Sequence, residues 1–305
     1  MDRGIKKKVT IGLCVKNSEQ TIKEAVESII SQTYPHELME LIIVDGGSKD
    51  KTLSIITDTI SKTDVHYKIF FDEGRGLGVA RQMVVDNACG EYLIVVDADA
   101  IAPKDYVRDL VEFMEQNPRL GGAKGIQEIM NPTSLTDKLE NLSLSLRRTP
   151  RHIFDGQGIF LIEAIRQIGG YDTRIKEFAE DVDLITRIMR AGWLFSVSDA
   201  KFYHTIGSWK RIWERGLRDG FRVRSHDFNI YFSRVQISHV HARIAQTFPF
   251  VFIIGIRDSF AAYKSTLQKI SFFLPFYYFF KSIPWWLGFT KSHIDSYIHT
   301  YSNRK

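Results

Sequence analysis

The apolar positions of the first hundred residues fall into short runs separated by segments of helical period. "KVTIGLCV", "MELIIVDGG", "HYKIFF" and "YLIVVD" are strand-length runs, and "SEQTIKEAVESIISQTY" sets Ile22, Ala25, Val26, Ile29 and Ile30 at helical spacing between the first two. Ser18, with Thr21 as the alternative, is placed to cap that helix. A second helix, "KDKTLSIITDTISK", follows Gly46 and Gly47, and the turn "EGRGLG" leads into a third, "VARQMVVDNACG". Strand and helix in alternation predict an α/β fold with a mostly parallel central sheet flanked by helices. Such sheets gather ligands at the carboxyl ends of their strands. Three of these four strands end in or beside an aspartate: Asp45, Asp72 and Asp97.

The pattern changes beyond residue 205. In "SWKRIWERGLRDGFRVR", Arg211, Arg215, Arg218 and Arg222 share one helical face, and Trp209, Trp213, Leu217 and Phe221 form a stripe about 200° away. Gly216 and Gly220 weaken such a helix by roughly 1 kcal/mol each. Guanidinium forks suit phosphates, so the arginine ridge is expected to meet lipid headgroups or a polyprenyl-phosphate acceptor rather than solvent alone. Two apolar blocks follow, residues 248–256 and 272–289, the second broken by Lys281 and by prolines at 275 and 284. A bilayer span needs about 20 predominantly apolar residues and neither block qualifies cleanly, so both read as helices lying in a membrane interface, with packing on the catalytic domain or at a dimer contact, or a marginal span, as the alternatives.

Charge sharpens that division. Residues 1–200 carry 25 Lys and Arg against 31 Asp and Glu, whereas residues 201–305 carry 16 against 5. A basic, aromatic tail points to an anionic membrane surface. Its aromatics lie in continuous apolar blocks rather than interleaved with Arg and Lys, which disfavours nucleic acid. With 305 residues, 44% of them hydrophobic, the chain can bury a sizeable core. Two cysteines, Cys14 and Cys89, make neither a disulfide framework nor a metal spacing, and the N-terminal lysines precede an apolar stretch too short for a signal peptide. The expected location is the cytoplasm, against the inner face of the cell membrane.

Candidate chemistry starts at "EYLIVVDADA". In an extended segment Asp97 and Asp99 project to one side with Ala98 opposite, at the strand's exit from the sheet. Two carboxylates there repel unless a cation or a hydroxyl lies between them, and magnesium or manganese takes carboxylate oxygens together with substrate phosphates. The bare string D-x-D is also an ordinary polar turn after a buried strand.

The ordered blocks "VTIGLCVKNSEQTIKEAVESIISQTYP", "LIIVDGGSKDKT", "GVARQMVVDNACGEYLIVVDADA" and "IGGYDTRIKEFAEDVDLITRIMRAGW" resemble family 2 glycosyltransferases of the GT-A fold, over roughly residues 8–205. The resemblance implies a UDP- or GDP-sugar donor, a divalent cation (Mg2+ or Mn2+) and inversion at the anomeric carbon. It places Asp45 at the nucleotide base, with Val15 and Lys16 lining the same pocket and Asp72 on the donor side. Asp97 falls near ribose and metal, and Asp99 falls on the metal. Arg81 matches a position near the donor, although Gln82 departs from the family's usual asparagine there and could alter base or ribose contacts. A surface ion pair is the other reading of Arg81. Glu180 and Asp181 match the family's acidic pair, with Asp181 as the general base that takes the acceptor's proton. That base matters less if the acceptor is already an anionic phosphate. Glu180, Asp181 and Asp183 also suit the positive end of a helix. His204 sits where relatives complete the metal's ligand set.

The expected organisation is a catalytic domain over residues 1–205 (nucleotide half about 8–100, acceptor half about 101–205) and a helical membrane-association region over 206–305. The expected function is transfer of a sugar from a nucleotide donor to a lipid-linked or glycan acceptor. The rivals are a nucleotidyltransferase and a non-catalytic membrane scaffold. "GRGLGVA" fails the dinucleotide spacing, no P-loop occurs, and the acids a scaffold would shed are present.

Overall fold

A computed structural model describes residues 9–146, 157–176, 179–204, 209–222 and 250–302. The chain divides into two compact units: Met1–Glu128 with Arg148–Thr205, and Ile129–Arg147 with Ile206–Lys305. Residues 129–147, grouped from sequence with the α/β part, belong to the second unit.

The first unit is built on an eight-stranded sheet. Its strands are β1 (Val9–Val15), β2 (Met39–Asp45), β3 (His66–Phe71), β4 (Tyr92–Asp97), β5 (Ala100–Ile101), β6 (Leu120–Ile129), β7 (Gly158–Leu161) and β8 (Leu194–His204), in the spatial order β3-β2-β1-β4-β7-β6-β8-β5. The four strands read from the apolar runs are all present, and β1 pairs parallel with β2 and β4, as β2 does with β3. The far side is antiparallel, through β4 with β7, β6 with β7 and β5 with β8. The sheet is therefore mixed, parallel from β3 to β4 and antiparallel beyond.

Alternation along the strands explains the two cores. Ile11 and Leu13 of β1 and Leu41 and Ile43 of β2 join Ile22, Val26 and Ile29 of α1 (Ile22–Ile30) on one face. Ile42, Val44, Leu93 and Val95 meet Val84 of α3 (Leu77–Asn87) and Ile188 of α7 (Glu180–Arg190) on the other. Strands covered on both faces read as continuous apolar runs, which is why they were visible in the sequence. Gly12 allows the close approach of α3, because a Cβ there would lie 2.7 Å from Val84 Cγ1. Helices α2 (Thr52–Ile60), α4 (Tyr106–Gln116) and α6 (Ile162–Gln167) complete the layers. Neither Ser18 nor Thr21 caps α1 with its side chain; Thr21 is the N-terminal flanking residue, and the Ser18 carbonyl accepts the amides of Thr21 and Ile22.

The second unit is helical: α5 (Leu135–Ser145), α8 (Trp209–Arg222), α9 (Phe250–Thr266) and α10 (Leu274–Ser302). Ser134 and Asp137 form a reciprocal capping box at the start of α5. Leu139, Leu142, Ile212, Ala262, Leu274 and Tyr277 form its core. Lys281 Nζ lies 2.7 Å from Glu140 Oε2, and the Tyr277 hydroxyl donates to the same carboxylate. The two glycines of α8 are contacts rather than defects. A Cβ at Gly220 would sit 1.9 Å from the Trp285 carbonyl oxygen, one at Gly216 2.8 Å from Pro284 Cγ, and one at Gly288 2.0 Å from the Leu217 carbonyl oxygen. Glycine on both helices thus lets α8 and α10 cross with backbones touching, and Trp209 and Trp213 pack their rings on Phe280.

Candidate active site

The register of β1 assembles the first part of the site. Val15 pairs with Asp45 and Cys14 with Asp97, so both aspartates reach the carboxyl edge of the sheet with β1 between them. Asp72 follows β3 at the same edge, its amide donating to the Asp45 carbonyl at 3.1 Å. Asp45 and Asp72 are buried, and their carboxylates turn into their own loops. Asp45 accepts the amides of Gly47 at 3.2 Å and Ser48 at 3.0 Å, and the Ser48 hydroxyl at 2.5 Å. Asp72 accepts the amides of Gly74 at 2.8 Å and Gly76 at 3.3 Å. Asn17, at a φ of 49°, accepts the Lys49 amide at 2.8 Å and locks the loop after β1 to the loop after β2. The exposed Lys16 stands at this mouth; a Cβ on Gly74 would come 3.9 Å from its Nζ.

The D-x-D pair departs from the extended geometry expected of it. β4 ends at Asp97, and Ala98 and Asp99 make a turn before β5. Ala98 packs on the core, and β5 pairs with the end of β8, with Ala100 opposite His204. That turn and that pairing bring the acids to the histidine. One oxygen from each of Asp97 and Asp99 and one ring nitrogen of His204 lie within 4.8 Å of one another. His204 is only 8% exposed, and its Nδ1 lies 3.4 Å from Asp99 Oδ1 without a well-aligned hydrogen bond. Two carboxylates and an imidazole are the oxygen and nitrogen donor set that suits Mn2+ or Mg2+.

Arg81 joins this cluster to the second acidic motif. It is buried, with Nη1 at 2.8 Å from Glu180 Oε1, Nη2 at 3.5 Å from Asp97 Oδ1, and its guanidinium 6.0 Å from the centre of the Tyr171 ring. The surface ion-pair reading is therefore set aside. Nε and Nη1 lack a well-directed hydrogen bond despite the short distance to Glu180, so the pair is close but misaligned. Burial pulls the pKa of Arg81 down, yet Glu180, Tyr171, Asp97 and Asp181 together hold it above its ordinary value, so the cation stays charged. Burial raises the Tyr171 phenol, opposed by Arg81. Gln82 points elsewhere: its Oε1 accepts the Tyr171 amide at 2.7 Å and its Nε2 donates to Asp86 at 2.7 Å, fastening α3 to the turn before α7.

Three acids at the start of α7 have three different surroundings. Glu180 faces Arg81, and Asp183 pairs with Arg187 at 2.6 Å. Asp181, half-buried in the first turn, accepts the Val182 amide at 2.7 Å. Ala179 precedes them at a φ of 66°, a left-handed conformation that a residue with a Cβ adopts at a cost of order 1 kcal/mol or more. Arg187 donates to the Ile168 and Gly170 carbonyls at 3.1 and 2.7 Å and so fixes the Gly169-Gly170 turn to the same helix.

Sequence reasoning missed Gln157. Its Nε2 donates to Asp97 Oδ2 at 2.7 Å and to His204 Nε2 at 2.9 Å, and it is 5% exposed. Nothing local in "GQGIFLIEAIRQIGGYD" marks the glutamine; only the antiparallel pairing of β7 with β4 puts it beside Asp97. In the helical unit Arg211, Arg215 and Arg218 are exposed along α8, and the side chain of Arg222 lies outside the described residues.

The family model for Glycosyl transferase family 2 matches residues 10–162. Poly-beta-1,6-N-acetyl-D-glucosamine synthase of Staphylococcus epidermidis is 26% identical over 242 residues, covering 71% of this chain and 55% of the synthase. The chain thus spans about half the length of that relative. A glycosyltransferase of Haemophilus influenzae, described as uncharacterized, is 35% identical over 124 residues, covering 40% of this chain and 37% of its own. Among solved structures, mannosyltransferase PcManGT from Pyrobaculum calidifontis, in complex with GDP-Man and Mn2+, superimposes with a TM-score of 0.63 at 18% identity over 99% of this chain and 89% of that one. S. aureus TarS 1-349 in complex with UDP gives 0.51 at 19% identity, over 95% and 92%. The α/β fold with a helical C-terminal extension is common ground, and with its family model matched across half its length the chain belongs to glycosyl transferase family 2.

Proposed function

We propose that this chain is a cation-dependent, inverting glycosyltransferase that moves a sugar from a nucleotide-sugar donor to a lipid-linked or glycan acceptor at the cytoplasmic face of the membrane. The observation that carries the reading is the convergence of Asp97, Asp99 and His204 within 4.8 Å at the carboxyl edge of the sheet. The GDP-Man and Mn2+ held by the mannosyltransferase of like fold, and the UDP held by TarS, support it.

Asp97, Asp99 and His204 are the residues that would hold the cation, which when bound neutralises charge on the leaving diphosphate. Arg81 adds a buried positive charge against Asp97, limiting the repulsion between the D-x-D acids and the acids of α7. Val15, Lys16, Asp45 and Asp72 belong to the donor side in this reading, the two aspartates by holding the loops after β2 and β3 in shape. Asp181 is the general base. The acceptor oxygen bonds to the anomeric carbon as the bond to the diphosphate breaks, the hydroxyl proton passes to the Asp181 carboxylate, and the nucleoside diphosphate leaves with configuration inverted. Glu180, paired with Arg81, positions the turn that carries Asp181.

Membrane contact belongs to the helical unit. α9 exposes Phe250, Ile253, Ile256 and Phe260, and Phe272, Phe273 and Phe276 continue the apolar surface into α10. A surface of this kind, in a segment carrying 16 Lys and Arg against 5 Asp and Glu, suits the interface of an anionic bilayer. Among the described residues no helix is long and apolar enough to cross a membrane. The test of the catalytic reading is a thermal-shift panel of UDP, GDP, CDP and dTDP sugars with Mn2+. A donor at 100 times its Kd stabilises by about 2.7 kcal/mol, and a panel without any cation-dependent shift overturns it.

A further inference from the structure

Gln157 occupies the space between two of the three residues assigned to the cation. An ionised carboxylate only accepts, so the group that faces Asp97 Oδ2 at 2.7 Å must be the amide NH2, and the same NH2 reaches His204 Nε2 at 2.9 Å. This places the remaining ring proton of neutral His204 on Nδ1, the side of Asp99. Gln157 is fixed there by backbone. Val95 pairs with Gly158, so one further step of register sets Gln157 opposite Val96 and beside Asp97. Gly158 is held hard against β6, where a Cβ would lie 2.2 Å from the Ala123 carbonyl oxygen. A buried amide with both hydrogens committed to two of the three residues assigned to the cation serves in place of that cation.

The distances carry a second meaning. Adjacent ligands of an octahedral ion bound at about 2.1 Å lie about 3.0 Å apart. With Asp97 Oδ2 and His204 Nε2 taken as the atoms that face the ion, Gln157 Nε2, at 2.7 and 2.9 Å from them, stands close to the spacing of a neighbouring ligand. Half a turn of the amide exchanges Nε2 for Oε1, an oxygen of the carbonyl type that Mg2+ and Mn2+ accept. We propose that Gln157 is a fourth residue of the cation site: its NH2 holds Asp97 and His204 together in the cation-free protein, and its carbonyl oxygen turns in as a ligand when the cation binds. This rests on the assignment of Asp97, Asp99 and His204 as ligands.

The test is Mn2+ titration of the full chain without nucleotide, read by the loss of the free-ion electron paramagnetic resonance signal. Melting in chelator serves as the folding control. Gln157→Leu keeps the volume and removes the oxygen, and about tenfold weaker Mn2+ binding or worse is expected. Gln157→Glu supplies a carboxylate oxygen at the same place and is expected to bind Mn2+ more tightly than wild type. Asp99→Asn, expected to lose Mn2+ binding, reports on the underlying assignment separately. If Asp99→Asn loses Mn2+ while Gln157→Leu binds it as well as wild type or better, the amide is only a competitor and the proposal is overturned while the site stands. If Gln157→Leu fails to fold, Gln157→Glu decides: weaker or unchanged binding overturns the ligand role. If Asp99→Asn binds Mn2+ like wild type, the cation site itself is misplaced and the proposal falls with it.

Discussion

Arg81 and Glu180 face each other at 2.8 Å with side chains 7% and 5% exposed, so each neutralises a charge that the interior would otherwise leave alone. Removing one partner of a buried pair leaves the other charge uncompensated, at a cost of about 3–5 kcal/mol, whereas an apolar replacement of both is often neutral. Arg81→Met is expected to fall in that range by urea denaturation. Arg81→Met with Glu180→Leu should recover most of the loss, although not the activity. Equal stability of the single and wild-type proteins would show that the pair is not buried in solution.

In the proposed function the two acidic motifs separate binding from transfer. Asp99→Ala is expected to abolish cation-dependent donor binding in the thermal-shift assay. Asp181→Asn should retain that binding and lose turnover by 10²-fold or more, the range of general-base catalysis. Wild-type turnover in Asp181→Asn removes the base assignment.

Alkaline pH should unfold this protein earlier than its composition implies. Burial pushes the Cys14 thiol from 9.0 up to about 12, Arg81 opposing, and burial with Glu91 and Glu115 pushes the Tyr92 phenol from 10.0 to about 12. Both groups hold their protons longer folded than unfolded. Their contribution to stability is full below pH 9 and is lost as pH climbs toward about 12. Urea midpoints measured from pH 8 to 11 should fall, less so in Cys14→Ala; a flat profile contradicts the assignment. In the native protein at pH 8, iodoacetamide should label the exposed Cys89 and spare Cys14.

The apolar surface of the helical unit gives a binding prediction. Ile253 and Phe260 are 58% and 63% exposed, so replacing both with Asp removes little packing beyond the edge contact of Phe260 with Phe272. The double variant should melt like wild type and co-sediment less with vesicles rich in anionic lipid. Undiminished co-sedimentation would assign membrane contact to another surface.

How much of this was legible in the sequence depends on which residues carried local information. β1, β2 and β4 were visible because each is covered on both faces, β3 showed as a short aromatic run at the sheet's edge, and three aspartates marked the exits. The D-x-D string was visible as chemistry but not as geometry, since the turn at Ala98 and Asp99 follows from a pairing of Ala100 with His204, more than a hundred residues apart. Gln157 and the Arg81–Glu180 contact have no local signature; they exist only once β7 runs antiparallel to β4 and α7 packs beside α3. Gly216 and Gly220 carried a misleading one, because helix propensity counts the missing side chain and not the neighbouring helix that needs its absence.

The interleaved connectivity of the helical unit has a consequence for biosynthesis. Leu139 and Leu142 of α5 are made early, but the residues that cover them, among them Ala262, Leu274 and Tyr277, emerge more than a hundred residues later. At about 5–20 residues per second, this leaves an uncovered leucine face on the nascent chain for on the order of 10 s while the strands between are being completed. A ribosome-bound chain halted near residue 240 should therefore recruit holdase chaperones through α5, and release them once α10 has cleared the exit tunnel.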